Sequence, residues 1–143
     1  MKIETLRGEH IVGVAEIERL CFSEPWSELS LQMLLSDNAF GIVCVKDGRV
    51  AAYGGMICVL DEGQITNIAT LPEFRRQGFG EAVLSDMLEK AKERGLAFVT
   101  LEVRESNLSA IALYEKMGFL SVGKRQNFYR KPTEAAIIME KKL

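Results

Sequence analysis

Helical and β-type hydrophobic patterns alternate along this chain from one end to the other. Lys2–Leu6 reads as a short strand. From Ile11 to Leu20 the apolar residues Ile11, Val14, Ala15 and Ile17 fall on one helical face. Ser23-Glu24-Pro25-Trp26 breaks that pattern, and Ser27 is placed to cap a second helix reaching Leu35, with Leu31, Leu34 and Leu35 on one side. Phe40–Val45 and Val50–Val59 are apolar and β-rich, and the Asp-Gly pair within Lys46-Asp47-Gly48-Arg49 marks a tight hairpin between them. A second turn at Asp61-Glu62-Gly63 introduces a fourth strand, Gln64–Leu71. Val83, Leu84, Met87, Leu88 and Ala91 then form the stripe of a long helix from Gly78 to Arg94, which Gly95 stops. Ala97–Val103 reads as a fifth strand and Asn107–Met117 as a helix ended by Gly118. Phe119–Gly123 and Ala135–Glu140 supply two more strands.

The order is β-α-α-β-β-β-α-β-α-β-β, which packs naturally as an α/β (α+β) fold with helices on the faces of a mixed central sheet of about seven strands. The crossover from Gln64 to Val103 predicts a parallel, right-handed connection between the fourth and fifth strands. Neither repeats nor linker-like tracts interrupt the 143 residues, so the expectation is one domain, 1–143.

Composition narrows the classes of function. Apolar residues make up 48% and charged residues 27%, ordinary values for a soluble globular protein. The net charge of −2 argues against a nucleic-acid binder and suits a cationic acceptor such as an amine, although charge alone does not establish one. Met1–Arg7 lacks the apolar core of a signal peptide, and no apolar run approaches a membrane span, so a cytoplasmic protein without membrane attachment is expected. Cys21, Cys44 and Cys58 are widely spaced and form no metal-binding pattern, which predicts reduced, buried thiols and no metal. His10, the only histidine, stands just before the first helical pattern, where a surface or capping role is expected.

Two stretches carry chemistry. Between the fourth strand and the long helix the chain reads Arg75-x-x-Gly78-x-Gly80. Glycines at a helix start let backbone N–H groups approach a ligand closely, and those groups with the helix dipole favour phosphate. Arg75 and Arg76 add positive charge beside them. Read by itself, the stretch is equally a plain strand-to-helix turn with solvated arginines. It is neither a Walker loop nor a GxGxxG fingerprint.

The second stretch runs from Leu101 to Phe119. Asn107 and Tyr114 are close to two turns apart, so they project from one helical face about 10 Å apart along the axis. Each has an ordinary reading beside a functional one: Asn107 as a helix cap, Tyr114 as an aromatic at the core edge, Glu102 as a solvated strand residue.

Taken together, these stretches resemble the GNAT superfamily of acetyl-CoA-dependent N-acetyltransferases. Arg75-x-x-Gly78-x-Gly80 is similar to the Q/R-x-x-G-x-G/A pyrophosphate loop of that family, and the order of elements resembles its fold throughout. Leu101-Glu102-Val103-Arg104, Asn107, and Leu113-Tyr114 with Gly118-Phe119 resemble the bacterial ribosomal-protein-alanine N-acetyltransferases within it. So do Pro25-Trp26-Ser27, Asn67-Ile68-Ala69 and Asn127-Phe128-Tyr129. Glu24 and Glu134-Ala135-Ala136 depart from the usual residues of that group, both in segments expected to shape the acceptor pocket.

The resemblance implies splayed fourth and fifth strands with acetyl-CoA in the gap. Its pyrophosphate would lie on Arg75, Arg76, Gln77, Gly78, Phe79 and Gly80, and its pantetheine along Ile68, Ala69 and Thr70, with Asn107 in contact. It further implies Glu102 as general base and Tyr114 as general acid, in direct transfer to the N-terminal α-amine of a protein. A small-subunit ribosomal protein beginning with alanine is the expected partner. Two other readings stay open, a GNAT acting on a free small amine and a non-catalytic acyl-CoA-binding module. Oligomeric state is not legible at this stage.

Overall fold

The computed structural model describes residues 1–143. The strands are β1 Lys2–Thr5, β2 Ala39–Lys46, β3 Arg49–Val59, β4 Glu62–Thr70, β5 Phe98–Arg104, β6 Leu120–Tyr129 and β7 Glu134–Lys142. The helices are α1 Ile11–Cys21, α2 Glu28–Leu31, α3 Phe79–Glu93 and α4 Leu108–Lys116. All seven strands form one sheet in the order β1-β2-β3-β4-β5-β7-β6, and β4 and β5 are its parallel pair, as the crossover required.

Each face of the sheet has its own core. On one side lie the α3 stripe residues Val83, Leu84, Met87, Leu88 and Ala91, together with Tyr114, Phe119 and Met139. On the other, Ile11, Val14, Ala15 and Ile17 of α1 join Leu31, Leu34 and Tyr53. Removing each large aliphatic side chain from water contributes roughly 1.5–3 kcal/mol. Gly54 lets α3 approach β3 closely: a Cβ there would lie 2.3 Å from Met87 Sδ.

Some elements differ from their sequence expectation for local reasons. Ser27 does cap α2, its hydroxyl accepting the Ser30 N–H at 3.1 Å, but the helix gives way to a 3-10 turn at Gln32–Leu35. The turn before β4 falls at Leu60–Asp61, with Leu60 at φ 55°, so Glu62 and Gly63 already belong to the strand. β6 runs six residues beyond its expected end at Gly123, to Tyr129. As an edge strand with one neighbour, it is polar and exposed through Lys124–Asn127 and shows no alternation there.

His10 is buried rather than on the surface. Its Nδ1 accepts the Arg7 N–H at 2.9 Å and its Nε2 meets Glu4 Oε1 at 3.1 Å, closing the turn into α1. Glu4, Glu9 and His10 stand close enough to suggest metal ligands, but Arg7 pairs with both carboxylates, at 2.7 and 2.8 Å, and takes the place of a cation. The three cysteines are free; Cys44 is buried and the other two partly so. No helix is long and apolar enough to cross a membrane.

The feature that creates a site is the parting of β4 from β5. They pair only at Glu62–Phe98, Gly63–Val99 and Gln64–Thr100, and then separate. On its other edge, β4 advances three residues, from Ile65 to Ile68, while β3 moves back two, from Met56 to Gly54. The extra residue is a bulge at Thr66–Asn67, and a bulge bends and twists its strand. Beyond it, β4 turns away from β5 and opens a cleft in the sheet.

Candidate active site

Two cavities occupy the cleft, one of about 520 Å³ and one of about 670 Å³. They meet at Cys21, Phe22, Ile68, Asn107, Ala110 and Tyr114, which line both. These shared residues form a junction between the two cavities.

The larger cavity leads to the start of α3. Ile68, Ala69, Thr70, Arg75, Arg76, Gly78, Phe79 and Gly80 all line it. Arg76 and Gly78 take left-handed backbone, φ 63° and 80°, and Gly78 serves as the N-cap of α3. The first intrahelical bond is donated by Ala82 N to Gly78 O at 3.0 Å, leaving the N–H groups of Phe79, Gly80 and Glu81 without partners in the helix. Arg75 is anchored by donation from Nε to Thr70 O at 3.3 Å. The Phe79 side chain is buried against Phe74, ring centroids 6.1 Å apart, so only its backbone serves the rim. Gln77 is not part of the lining; its side chain accepts from Lys46 Nζ at 3.1 Å.

The two glycines have different reasons to be glycine. Gly78 needs its positive φ. Gly80 does not, and a Cβ there would meet only Thr70 Oγ1 at 3.5 Å. What its missing side chain leaves is space in the cradle, and free N–H groups, two arginines and this space fit a pyrophosphate. Gly80→Leu should therefore leave Tm at or slightly above wild type, because leucine is the better helix former. The same change should raise the Kd for CoA at least about tenfold, checked by calorimetry beside a thermal melt. A fall in both would mean that Gly80 serves packing.

The smaller cavity opens on the other side of the junction. Glu102, on β5, is exposed and lines only this cavity, whereas Tyr114 and Asn107 line both. Asn107 does cap α4, its Oδ1 accepting the Ala110 N–H at 3.3 Å, and this leaves its Nδ2 outside the cap. Tyr114 packs edge-on against Phe119 at 5.9 Å, and burial, followed by Tyr129, pushes its phenol up to about 12. Tyr129 is likewise pushed up to about 12, by burial and then by the negative charge of Glu102. Both phenols therefore keep their protons throughout the neutral range. Cys21 lies at the junction, but burial raises its thiol, the opposite of what a nucleophilic cysteine requires.

Sequence reasoning left several wall residues without a role. Trp26 and Asn67 line the smaller cavity, together with Glu24 from a segment the sequence had already singled out. Arg104 stacks over Tyr129 at 4.5 Å and donates to the Arg130 and Pro132 carbonyls at 2.8 and 3.0 Å. It also donates to Glu134 Oε1 at 3.2 Å, and Glu134 Oε2 accepts the Ser106 N–H at 2.6 Å. Ser106, then Arg104, hold the Glu134 carboxyl below the usual carboxylate range. This clasp ties β5, which carries Glu102, to the end of β6 at Tyr129 and to the connection that follows it.

The sequence matches the acetyltransferase (GNAT) family over residues 11–119. The chain belongs to that family. The [ribosomal protein bS18]-alanine N-acetyltransferase of Escherichia coli strain K12 is 37% identical over 141 residues, 96% of this chain and 94% of that protein. A Bacillus subtilis strain 168 protein that carries the same name provisionally is 40% identical over 139 residues, 96% and 92% of the two chains. The crystal structure of the ribosomal-protein-S18-alanine N-acetyltransferase from Escherichia coli superposes with a TM-score of 0.92 at 35% identity, covering 99% of this chain and 92% of that one. As a GNAT enzyme the protein is an N-acetyltransferase with acetyl-CoA as co-substrate. The two adjoining cavities leave room for two substrates side by side.

Proposed function

We propose that this enzyme transfers acetyl to the α-amine of a protein N-terminus, and that its acceptor is the alanine of a small-subunit ribosomal protein. One observation carries the mechanism: Glu102 faces only the smaller cavity, while Tyr114 stands where the two cavities join. A base is needed on the amine side and a proton-bearing group at the thioester sulfur, and these two residues are distributed in that way. The relatives named for ribosomal protein bS18 supply the acceptor class. An acceptor of that kind places the reaction in the cytoplasm.

In this reading the larger cavity holds acetyl-CoA, with the α3 N-terminus, Arg75 and Arg76 on its pyrophosphate and Ile68, Ala69 and Thr70 along its pantetheine. Asn107 contacts the same ligand near the junction. β4 has lost its β5 partner there, so its backbone groups face the cleft and are available to the reacting carbonyl. Glu102 accepts the amine proton directly or through one water; an α-amine ionises near about 8, so modest help suffices. Tyr114 keeps a hydrogen bond available to the leaving sulfur. A thiol ionises near about 8.5, so outright transfer from a phenol held at about 12 is uphill. Tyr114 acts by sharing its proton as charge builds on sulfur, and solvent completes the thiol. No enzyme-bound acyl group is needed.

The test is thiol release from acetyl-CoA with a panel of acceptors: alanine-starting peptides, the same peptides with blocked N-termini, lysine side-chain analogues and small amines. Release with unblocked peptides alone is the expected result. Preference for a small amine would replace the peptide reading, and acetyl-CoA binding without turnover of any acceptor would sink the assignment of Glu102 and Tyr114.

A further inference from the structure

A carboxylate that the proposed transfer does not use stands behind the wall of the smaller cavity. Glu18 is fully buried on α1, among Val14, Ala15 and Ile17, where packing alone would be served by another apolar side chain. A buried carboxylate is costly unless donors surround it. Glu18 has three. Its Oε1 accepts the Trp26 backbone N–H at 2.8 Å, and its Oε2 accepts Asn67 Nδ2 at 3.0 Å and the Tyr53 hydroxyl.

Those donors belong to three separate parts of the chain. Tyr53 lies in the core on β3. Trp26 belongs to the segment between α1 and α2, and Asn67 to the β4 bulge, and both line the smaller cavity. Glu18 is therefore a single point at which one wall of the cavity is tied to the strand that forms another. Neither tie has an obvious substitute. The Trp26 segment is too short for regular structure, and the bulge has given up part of its pairing with β3.

We propose that Glu18 is a positioning residue for acceptor specificity, holding the Trp26 segment and the β4 bulge in the spacing that the acceptor amine requires. This rests on the reading of the smaller cavity as the acceptor site. It leaves the larger cavity untouched, because neither Trp26 nor Asn67 lines it. Acceptor KM should then respond to Glu18 while acetyl-CoA affinity does not.

Trp26 is the chain's only tryptophan, so its fluorescence reports this segment alone. Glu18→Gln puts an amide NH2 where one of three donors needs an acceptor. We expect it to raise acceptor KM at least about tenfold, with the Kd for acetyl-CoA within about twofold, and to make acrylamide quenching of Trp26 about twofold stronger. Tyr53→Phe is the control, since it removes the core-side bond and leaves both cavity-side bonds. It should lower Tm while KM and quenching stay within about twofold of wild type. Glu18→Met avoids setting donor against donor and should repeat the Glu18→Gln pattern should that variant fold poorly. KM that follows Tm equally in all three variants, or unchanged quenching in both Glu18 variants, would overturn the proposal. The acceptor used is whichever amine the wild-type enzyme turns over. A failure of the peptide reading therefore shows in the wild type and leaves this test standing.

Discussion

Glu102→Gln is expected to lower kcat about 10²–10³-fold at pH 7, the lower part of the span of about 10²–10⁴ usual for a general base. The variant should recover only in part, by about tenfold, as pH rises past about 8, where an α-amine loses its proton unaided. The sign follows from the acceptor: below its pKa most of it is ammonium, which has no lone pair to attack with. In the proposed mechanism Glu102 takes that proton in wild type; in the variant only hydroxide and bulk water remain. Log kcat/KM of Glu102→Gln should thus climb with a slope near one up to about pH 8, against a flatter wild-type line. Parallel profiles would show that Glu102 shapes the cavity without serving as base. Because Glu102 is exposed and faces a cavity, Tm should hardly move.

Tyr114→Phe should reduce kcat about 10–10²-fold at every pH, with the Kd for acetyl-CoA within about threefold. The phenol keeps its proton up to about 12, so no break from Tyr114 belongs in the neutral range of the wild-type profile. The lost interaction forms as charge builds on sulfur, which is why turnover falls and binding does not. The ring, which packs on Phe119, stays in the variant, and that preserves the junction. A collapse in acetyl-CoA affinity would instead make Tyr114 a binding residue. Pairing this variant with a poorer leaving group should magnify the defect.

Both residues were visible in the sequence, though for unequal reasons. Tyr114 and Asn107 share a helical face by simple spacing, and the structure places both at the junction. Glu102 looked solvated by its alternation in the strand, and it is exposed. Exposure and a place on the cavity wall coincide there because the neighbouring strand has moved away. Gln77 shows the opposite case, a residue inside the loop motif whose side chain reaches Lys46 instead of the cavity. Trp26 and Tyr129 stood out in the sequence through the resemblance of their segments. Each turned out half-buried on the groove wall.

What the residues determined by themselves is local in origin. The periods of α1 and α3, the Ser27 cap, the Asp47-Gly48 hairpin and the glycine loop before α3 follow from neighbours a few positions apart, whose sterics and free N–H groups act within one turn. Even the parallel pairing of β4 and β5 follows from the handedness of one crossover. The tertiary structure alone decided where that pairing stops, since the bulge at Thr66–Asn67 forms only against β3. It alone joined Glu18 to Tyr53 and Asn67, 35 and 49 positions away, and Arg104 to Glu134, 30 positions away. Such contacts leave no period in the chain, because a buried carboxylate or a guanidinium clasp is set by which elements pack together and not by spacing along any one of them.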